Sequence, residues 1–198
     1  MELIRKRIII IGFMGFILSL SGQNQKQGTS TTGIKGGYNL AAVTYDGETE
    51  TGQRHGFHLG VYGNSSINSL MAIQVEAMYS QQGYQLKNDS GTYTQKLNYI
   101  NVPVMLQLYP MKQVFLEGGA QVGYAISHKE TYDSSFNLFD AESDITPDRF
   151  DWGFNVGSGI KMDSGFSLGI RYHIGMGEIY DEGEPKNRMW QFSVGIDF

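Results

Sequence analysis

The sequence of 198 residues contains no cysteine, only four prolines, and charged residues at only 18% of its positions. Without cysteine the chain has no disulfide framework and no thiol chemistry, which fits an exported protein stabilised by a hydrogen-bonded sheet. No segment reaches the ~20 consecutive apolar residues that a membrane-spanning helix needs. If the protein lies in a membrane, it therefore crosses as a closed β-barrel, because lipid leaves no other way to satisfy a strand's backbone hydrogen bonds.

The beginning of the chain is predicted to be a secretory signal peptide. A basic start at 5–7, an apolar run over 8–18 and small residues at 19–22 form the usual three parts of such a signal. A lipoprotein signal is excluded because it requires a cysteine. The predicted organisation is a signal peptide over 1–22, a short polar tail over 23–32 and one domain over 33–198.

The mature chain is acidic. Cleavage of the signal removes three basic residues and one acidic residue, which changes the formal charge from −5 to −7. An acidic chain of this kind is a poor candidate for binding nucleic acid. We therefore expect no nucleic-acid partner.

Eight segments alternate apolar residues with polar or small ones at the period of two that is typical of β-strands. Glycine, at 26 residues, recurs inside these segments, which favours bends in a closed sheet over a flexible linker. Most segments have about the 9–11 residues that a tilted strand needs to cross a bilayer. The predicted strands are 33–43, 56–64, 70–81, 97–109, 114–127, 151–162, 166–176 and 189–198.

The predicted connections alternate between short and long. The short ones are the turns at 65–69, 110–113 and 163–165. The long polar ones are 44–55, 82–96, 128–150 and 177–188. Short turns at one end and long loops at the other are typical of bacterial outer-membrane barrels. The sequence therefore predicts an all-β fold, an eight-stranded antiparallel up-and-down transmembrane β-barrel with both chain ends on the periplasmic side.

One face of the predicted strands is apolar and the other carries the charges and amides. A soluble lipid-binding barrel has the opposite polarity, so we expect the apolar face to meet lipid. Because an eight-stranded barrel is filled by its own side chains, we predict an interior of hydrogen bonds and ion pairs rather than a channel. The predicted interior polar cluster comprises Lys35, His58, Glu76, Glu117, Lys161, Arg171, His173 and Asp197.

Two further features of the strands carry predictions. Pro103 cannot donate a ladder hydrogen bond, so we predict a bulge or local bend there. Aromatic residues near the strand ends suit the girdles at the two membrane interfaces. The predicted girdle residues are Tyr38, Tyr79, Tyr99, Tyr109, Tyr124, Trp152, Tyr172 and Trp190.

The fourth strand and its turn, Leu97–Pro110, read LNYINVPVMLQLYP. This segment resembles the strand "Tyr, apolar, any, apolar, Pro" of an outer-membrane β-barrel family that is common in Bacteroidetes and includes the PorT-like proteins. The motif GxKGGYN over 33–39 and the glycine-rich stretch over 118–124 agree with it. Phe198 is similar to the C-terminal signal that the barrel-assembly machinery reads.

The resemblance implies a location in the bacterial outer membrane. It implies outer-membrane lipid, lipopolysaccharide and the barrel-assembly machinery as partners, and it carries over no catalytic residue, cofactor or metal. A role in protein secretion, which the resemblance implies for PorT, would add a secretion-system partner. An extracellular protein partner is the other alternative.

Two sets of residues could support catalysis or cation binding. His58 or His173 could pair with Glu76 or Glu117, or form a hydrolase-like set with Ser127 or Ser193, but no nucleophile motif accompanies them, which favours a hydrogen-bonded core. The acidic loops could hold divalent cations or bridge lipopolysaccharide phosphates through them, although a solvated anionic surface is the simpler interpretation. The leading hypothesis is a non-enzymatic protein with a surface-interaction or envelope-integrity role. A secretion component or an outer-membrane enzyme is the alternative.

Overall fold

The computed structural model describes residues 29–45, 49–88, 91–134, 141–143, 150–178 and 185–198. Among these residues, no helix is long and apolar enough to span a bilayer. The strands are β1 (Ser30–Tyr45), β2 (Thr49–Glu50), β3 (Gly52–Ser66), β4 (Met71–Asn88), β5 (Gly91–Leu108), β6 (Val114–Ser134), β7 (Ala141–Ser143), β8 (Phe150–Lys161), β9 (Phe166–Glu178) and β10 (Lys186–Asp197).

Eight long antiparallel strands form a closed barrel. Each long strand pairs with the next along the chain, and β10 pairs back with β1 from Gly33↔Asp197 to Thr44↔Lys186. The short strands β2 and β7 add to β1 and β6 without entering the ring. The predicted eight-stranded up-and-down barrel is confirmed.

The short turns and both ends of the barrel domain lie at one end of the molecule. The tight turn between β8 and β9 closes at Gly165, whose φ of 88° suits a residue without a Cβ. The carbonyl of Gly165 accepts a hydrogen bond from the Asp197 N–H at 2.9 Å, and the Phe198 N–H donates to the Thr32 carbonyl at 2.8 Å. We call this the periplasmic end and the opposite end the outer end.

Three strands extend well beyond the barrel at the outer end. β6 leaves its partner β8 at Tyr124↔Phe150 and runs on to Ser134, paired with β5 and in part with β7. β4 and β5 stay paired out to Asn88↔Gly91. The long loop predicted over 82–96 is therefore wrong, because its two halves are strand. We call 82–88, 91–98 and 125–134 together the outer sheet; 46–48, 89–90, 135–140, 144–149 and 179–184, with most of the acidic loop residues, lie outside the described residues.

Of the bulge or local bend predicted at Pro103, the bulge is wrong. β5 and β6 pair in unbroken register from Tyr99↔Ala125 to Leu108↔Leu116, and the register shift lies next to this run, between Asn98 and Tyr99. The β4–β5 ladder omits the pairs between Val75↔Val104 and Met78↔Asn101, where Pro103 lacks an N–H, but its register is the same on both sides. The β4–β5 ladder therefore accommodates the missing N–H of Pro103 by a short interruption of its pairing, without a change of register.

The two faces of the barrel differ as the alternation predicts. Apolar side chains on the outside are about half exposed, for example Phe192 at 43% and Val194 at 51%, while Gln191 between them is 1% exposed. Most girdle residues lie on the outer surface, but Tyr99 is 1% exposed and belongs to a buried apolar cluster inside the outer mouth, so its assignment to the girdle is wrong. The other members of that cluster are Val43, Tyr84, Leu97 and Ala125.

Candidate functional site in the barrel interior

Four charged side chains from four strands meet at the centre of the barrel. Arg171 of β9 binds Glu76 of β4 through two parallel bonds, Nη2 to Oε1 at 2.7 Å and Nη1 to Oε2 at 3.1 Å. Its Nε donates to Glu117 Oε1 of β6 at 2.7 Å, and Lys35 Nζ of β1 donates to Glu76 Oε1 at 2.8 Å. Two positive and two negative charges therefore balance, which is the arrangement that buried charges require. We call these four residues the central ion network.

Amide side chains complete the central ion network toward the periplasmic end. Gln74 Nε2 donates to Glu76 at 2.7 Å, and Gln107 Nε2 donates to Glu117 at 3.3 Å. Asn64 Nδ2 then bridges the two glutamines, at 3.1 Å from Gln74 Oε1 and 2.7 Å from Gln107 Oε1. A cavity of about 20 Å³ remains among these groups, which is room for a single water molecule.

A second ion pair closes the periplasmic end. Lys161 Nζ lies 2.7 Å from Asp197 Oδ2, and the Tyr62 hydroxyl donates to the other carboxylate oxygen, Oδ1. A Cβ at Gly33 would lie 2.4 Å from the Tyr62 ring, so glycine is what admits this large side chain. Beside it, burial and the nearby carboxylates of Asp197 and Glu117 raise the pKa of Tyr109.

His58 lies in a separate hydrogen-bonded chain. Its Nδ1 lies 2.7 Å from Asn39 Oδ1 and its Nε2 lies 3.0 Å from Ser193 Oγ. Asn39 Nδ2 donates to Ser80 Oγ and to the Gln81 carbonyl, which fixes the amide and places its oxygen toward His58. The order serine, histidine, asparagine matches that of some hydrolytic triads, but the one-water cavity beside Ser193 leaves no room for a substrate.

His173 lies elsewhere in the interior, nearer the outer end. Its Nδ1 lies 2.9 Å from Asn155 Oδ1, and its Nε2 lies 3.8 Å from Asp151 Oδ2. Asp151 was missed in the sequence, although the inward positions on β8 run through Asn155 and Gly153 to Asp151, so the same alternation identifies it. Ser127, the other serine considered, lies opposite Asn98 at the register shift of β6.

The eight residues of the predicted interior cluster therefore divide into separate groups. Lys35, Glu76, Glu117 and Arg171 meet, and Lys161 with Asp197 forms the neighbouring periplasmic pair. His58 and His173 each join their own amide partners. Phe198, the predicted assembly signal, has an exposed side chain at the periplasmic end. Among the described residues, no three His, Asp or Glu side chains converge in a way that could hold a metal ion.

Comparison with known proteins points to one family. The model of the "Outer membrane protein beta-barrel domain" family matches residues 22–181. A search of curated proteins finds no match. Among solved structures, the attachment invasion locus protein Ail of Yersinia pestis, in complex with the heparin analogue sucrose octasulfate, aligns with a TM-score of 0.54 and 17% identity over 85% of this chain and 99% of Ail.

Two more outer-membrane structures align less closely. Neisserial surface protein A aligns with a TM-score of 0.49 and 16% identity over 85% of this chain and 97% of its own. OprG from Pseudomonas aeruginosa aligns with a TM-score of 0.41 and 15% identity over 87% of this chain and 97% of its own. At these identities the similarity concerns the fold.

Proposed function

The chain belongs to the outer membrane protein β-barrel domain family, and we propose that this small bacterial outer-membrane barrel is a non-enzymatic, non-conducting anchor that binds a partner at the cell surface. One observation carries the proposal. The bore is filled by paired side chains, while β4, β5 and β6 continue past the barrel as the outer sheet. The interior offers no path for a solute, so the outer end is where the molecule can act.

Side chains fill the bore at three levels, which supports the non-conducting part of the proposal. Lys161 and Asp197 pair at the periplasmic end, the central ion network crosses the middle, and the apolar cluster around Tyr99 fills the outer mouth. An eight-stranded barrel has only enough interior for its own side chains. An ion could pass only after the side chains at all three positions along the bore had moved apart.

The charge distribution favours a basic partner. The four outer segments, 44–55, 82–96, 128–150 and 177–188, carry 14 acidic and seven basic residues, whereas the rest of the mature chain carries five of each. The net negative charge of residues 23–198 therefore falls entirely within these four segments of the sequence. Ail was crystallised with a heparin analogue, which is a polyanion. The acidic outer segments of this chain oppose such a ligand and suit a cationic one.

The proposal is tested with the mature barrel folded in lipid nanodiscs. We expect a basic polypeptide, polylysine being the probe, to bind with an affinity that falls steeply with salt, and heparin not to bind. A matched variant changes Asp140, Glu142, Asp144 and Asp148 to their amides, and we expect it to bind polylysine at least tenfold more weakly. Equal binding of heparin, or equal polylysine binding by the variant, would overturn the basic-partner proposal.

Planar-bilayer recording tests the anchor part of the proposal. A filled bore predicts no stepwise conductance from the folded wild-type barrel. Regular single-channel openings would instead indicate transport. A variant in which 86–93 is replaced by Asn-Gly, a favoured two-residue hairpin turn, removes the tip of the β4–β5 hairpin and keeps the spanning strands. We expect it to assemble normally, to remain non-conducting and to keep binding polylysine, because the removed residues carry no net charge.

A role in protein secretion is the second candidate. It is supported by the resemblance of Leu97–Pro110 to the PorT-like strand, which is a structural motif. Deleting the gene and measuring cargo protein in the culture medium distinguishes the candidates, since an anchor with a surface partner leaves secretion intact. An outer-membrane enzyme has less support, because the interior cavity that Ser193 shares with the central ion network holds about one water molecule.

A further inference from the structure

Two buried acceptor atoms face each other between β8 and β9, toward the outer end of the barrel. His173 is fully buried and Asp151 is 5% exposed. His173 Nε2 and Asp151 Oδ1 have no hydrogen-bond partner among the described residues, and Nε2 lies 3.8 Å from Asp151 Oδ2. A buried polar atom that is left without a partner is costly, so this pair needs an explanation.

The neighbouring amides fix which atoms carry lone pairs. Asn155 Nδ2 donates to Gln121 Oε1 at 3.1 Å, so Asn155 presents its oxygen to His173 Nδ1 at 2.9 Å. Nδ1 therefore carries a proton, and in the neutral ring the lone pair of Nε2 points toward Asp151. Asp151 Oδ2 is held by Asn187 Nδ2 at 2.9 Å. A lone pair thus faces a carboxylate, and the gap between them suits an electropositive guest.

Two inward-facing glycines border the acceptor pair closely. A Cβ at Gly153 would lie 2.9 Å from His173 Cε1, and a Cβ at Gly177 would lie 2.9 Å from Asp151 Oδ1. Larger residues at either position would press on the acceptor pair. Glycine at 153 and 177 therefore avoids a side chain that would crowd the two acceptors.

We propose that His173 Nε2 and the Asp151 carboxylate bind one borderline divalent transition-metal ion, of which Zn²⁺ is the representative, with water completing its coordination. Nitrogen and oxygen ligands about 2.0–2.1 Å from a tetrahedral zinc ion lie about 3.3 Å apart, so the observed gap closes with a small side-chain adjustment. Asn155 holds the second ring nitrogen of His173 and Asn187 holds Oδ2 of Asp151, which leaves Oδ1 free, and such outer-shell contacts orient the ligands of metal sites. With two protein ligands, the ion is expected to exchange with the solution.

The site differs from that of His58, another buried histidine of the barrel interior. Both ring nitrogens of His58 have partners, Asn39 and Ser193, so His58 has no free ligand atom. His58→Gln is therefore a matched control for a buried histidine, and His55→Gln is a control for a surface one. Millimolar Mg²⁺ in all samples saturates the acidic outer segments, because magnesium prefers oxygen ligands and competes poorly for imidazole.

The test is titration of the mature barrel, refolded in detergent, with Zn²⁺ by calorimetry and with Co²⁺ by visible absorption. We expect one ion per barrel and binding at least tenfold weaker in His173→Gln and in Asp151→Asn, with both controls unchanged. As a measurement that needs no variant, ¹⁵N-histidine spectra of the wild type should show the His173 Nε2 signal shifting on addition of Zn²⁺ while Nδ1 stays protonated. Binding that both variants retain, or an unshifted Nε2 signal, would overturn the proposal and leave a bridging water as the guest.

Discussion

Removing the arginine of the central ion network should strongly destabilise the barrel. Arg171 makes three hydrogen bonds to Glu76 and Glu117, and its side chain is 4% exposed. In the Arg171→Met variant, Lys35 is the one positive charge of the network that remains beside the buried carboxylates of Glu76 and Glu117. Breaking a buried ion pair by removing one partner costs about 3–5 kcal/mol, because the remaining charge is neither paired nor solvated. We expect a loss of that size in the free energy of unfolding.

A neutral variant separates the lost pairing from lost packing. Changing Lys35 and Arg171 to methionine and Glu76 and Glu117 to glutamine removes every charge of the network at similar volume. Replacing a whole buried ion pair by well-packed neutral groups is often neutral or stabilising. We therefore expect the fourfold variant to regain most of the stability that Arg171→Met loses.

The measurement is denaturant unfolding of the barrel in lipid vesicles, followed by the fluorescence of Trp152 and Trp190. These are the two tryptophans of the chain, and both lie on the outer face at 44% and 42% exposure, so they report the loss of lipid contact. A shift of the midpoint at constant slope measures stability alone. A loss below about 1 kcal/mol in Arg171→Met, or an equal loss in the fourfold variant, would contradict the electrostatic reasoning based on buried charge.

Three further substitutions test the packing and assembly of the barrel. Gly159→Ala places a Cβ 2.4 Å from the Phe115 ring and should lose about 1–3 kcal/mol by overpacking in the same unfolding assay, whereas Gly63→Ala, with no atom within 4 Å of its Cβ, should lose less than about 0.5 kcal/mol. Tyr99→Ala empties the apolar cluster at the outer mouth and should lose about 3–5 kcal/mol. If Phe198 is an assembly signal, Phe198→Ala should lower the heat-modifiable fraction recovered from the outer membrane, while Phe198→Tyr preserves it; equal recovery would remove that role.

The alternation of the sequence predicted the spanning part of the barrel because lipid outside and a polar core inside impose opposite requirements on successive residues. Phe192 and Gln191 illustrate this, since one is 43% exposed on the lipid face and the other 1% exposed in the bore. The pattern weakens where those two environments end. In 82–96, water lies beyond the membrane on the outside, so polar residues occur on both faces and the strand cannot be recognised by its periodicity.

The loss of clear alternation beyond the membrane also explains why Tyr99 was wrongly assigned to the girdle. A large tyrosine near a strand end fits an interfacial girdle by composition, but its parity places it inside with Asn101. Its partner residues in the apolar cluster, Tyr84 and Leu97, lie in the segment that lacked a clear pattern. The interior of the outer mouth therefore holds an apolar cluster beside buried polar side chains such as Arg54 and Gln82, so it lacks the uniform polarity of the bore between the spanning strands.

The pairing of interior charges lay beyond sequence reasoning for a different reason. Parity shows that Arg171 and Glu76 point inward, but these residues are 95 positions apart, and their meeting depends on the stagger of the strands around the barrel. Asp197 and Lys161 are closer in sequence, and yet their pairing follows from the turn at Gly165, which brings the end of β10 beside the start of β9. Which interior charges form ion pairs is thus determined by the closed barrel and not by any single strand.

Buried ion pairs contribute little net stability, so the central ion network needs another explanation. We find one in the register of the strands. A slip of one strand by one residue would turn its apolar side chains into the bore, and lipid would oppose it. A slip by two residues preserves the alternation, so neither the lipid nor the general polarity of the bore opposes it. The slip would instead move Glu76 or Arg171 two positions along its strand and separate it from its partners. The network therefore selects the register among alternatives that hydrophobicity cannot distinguish, and the fourfold neutral variant should regain most of the wild-type stability but assemble with a larger misfolded fraction.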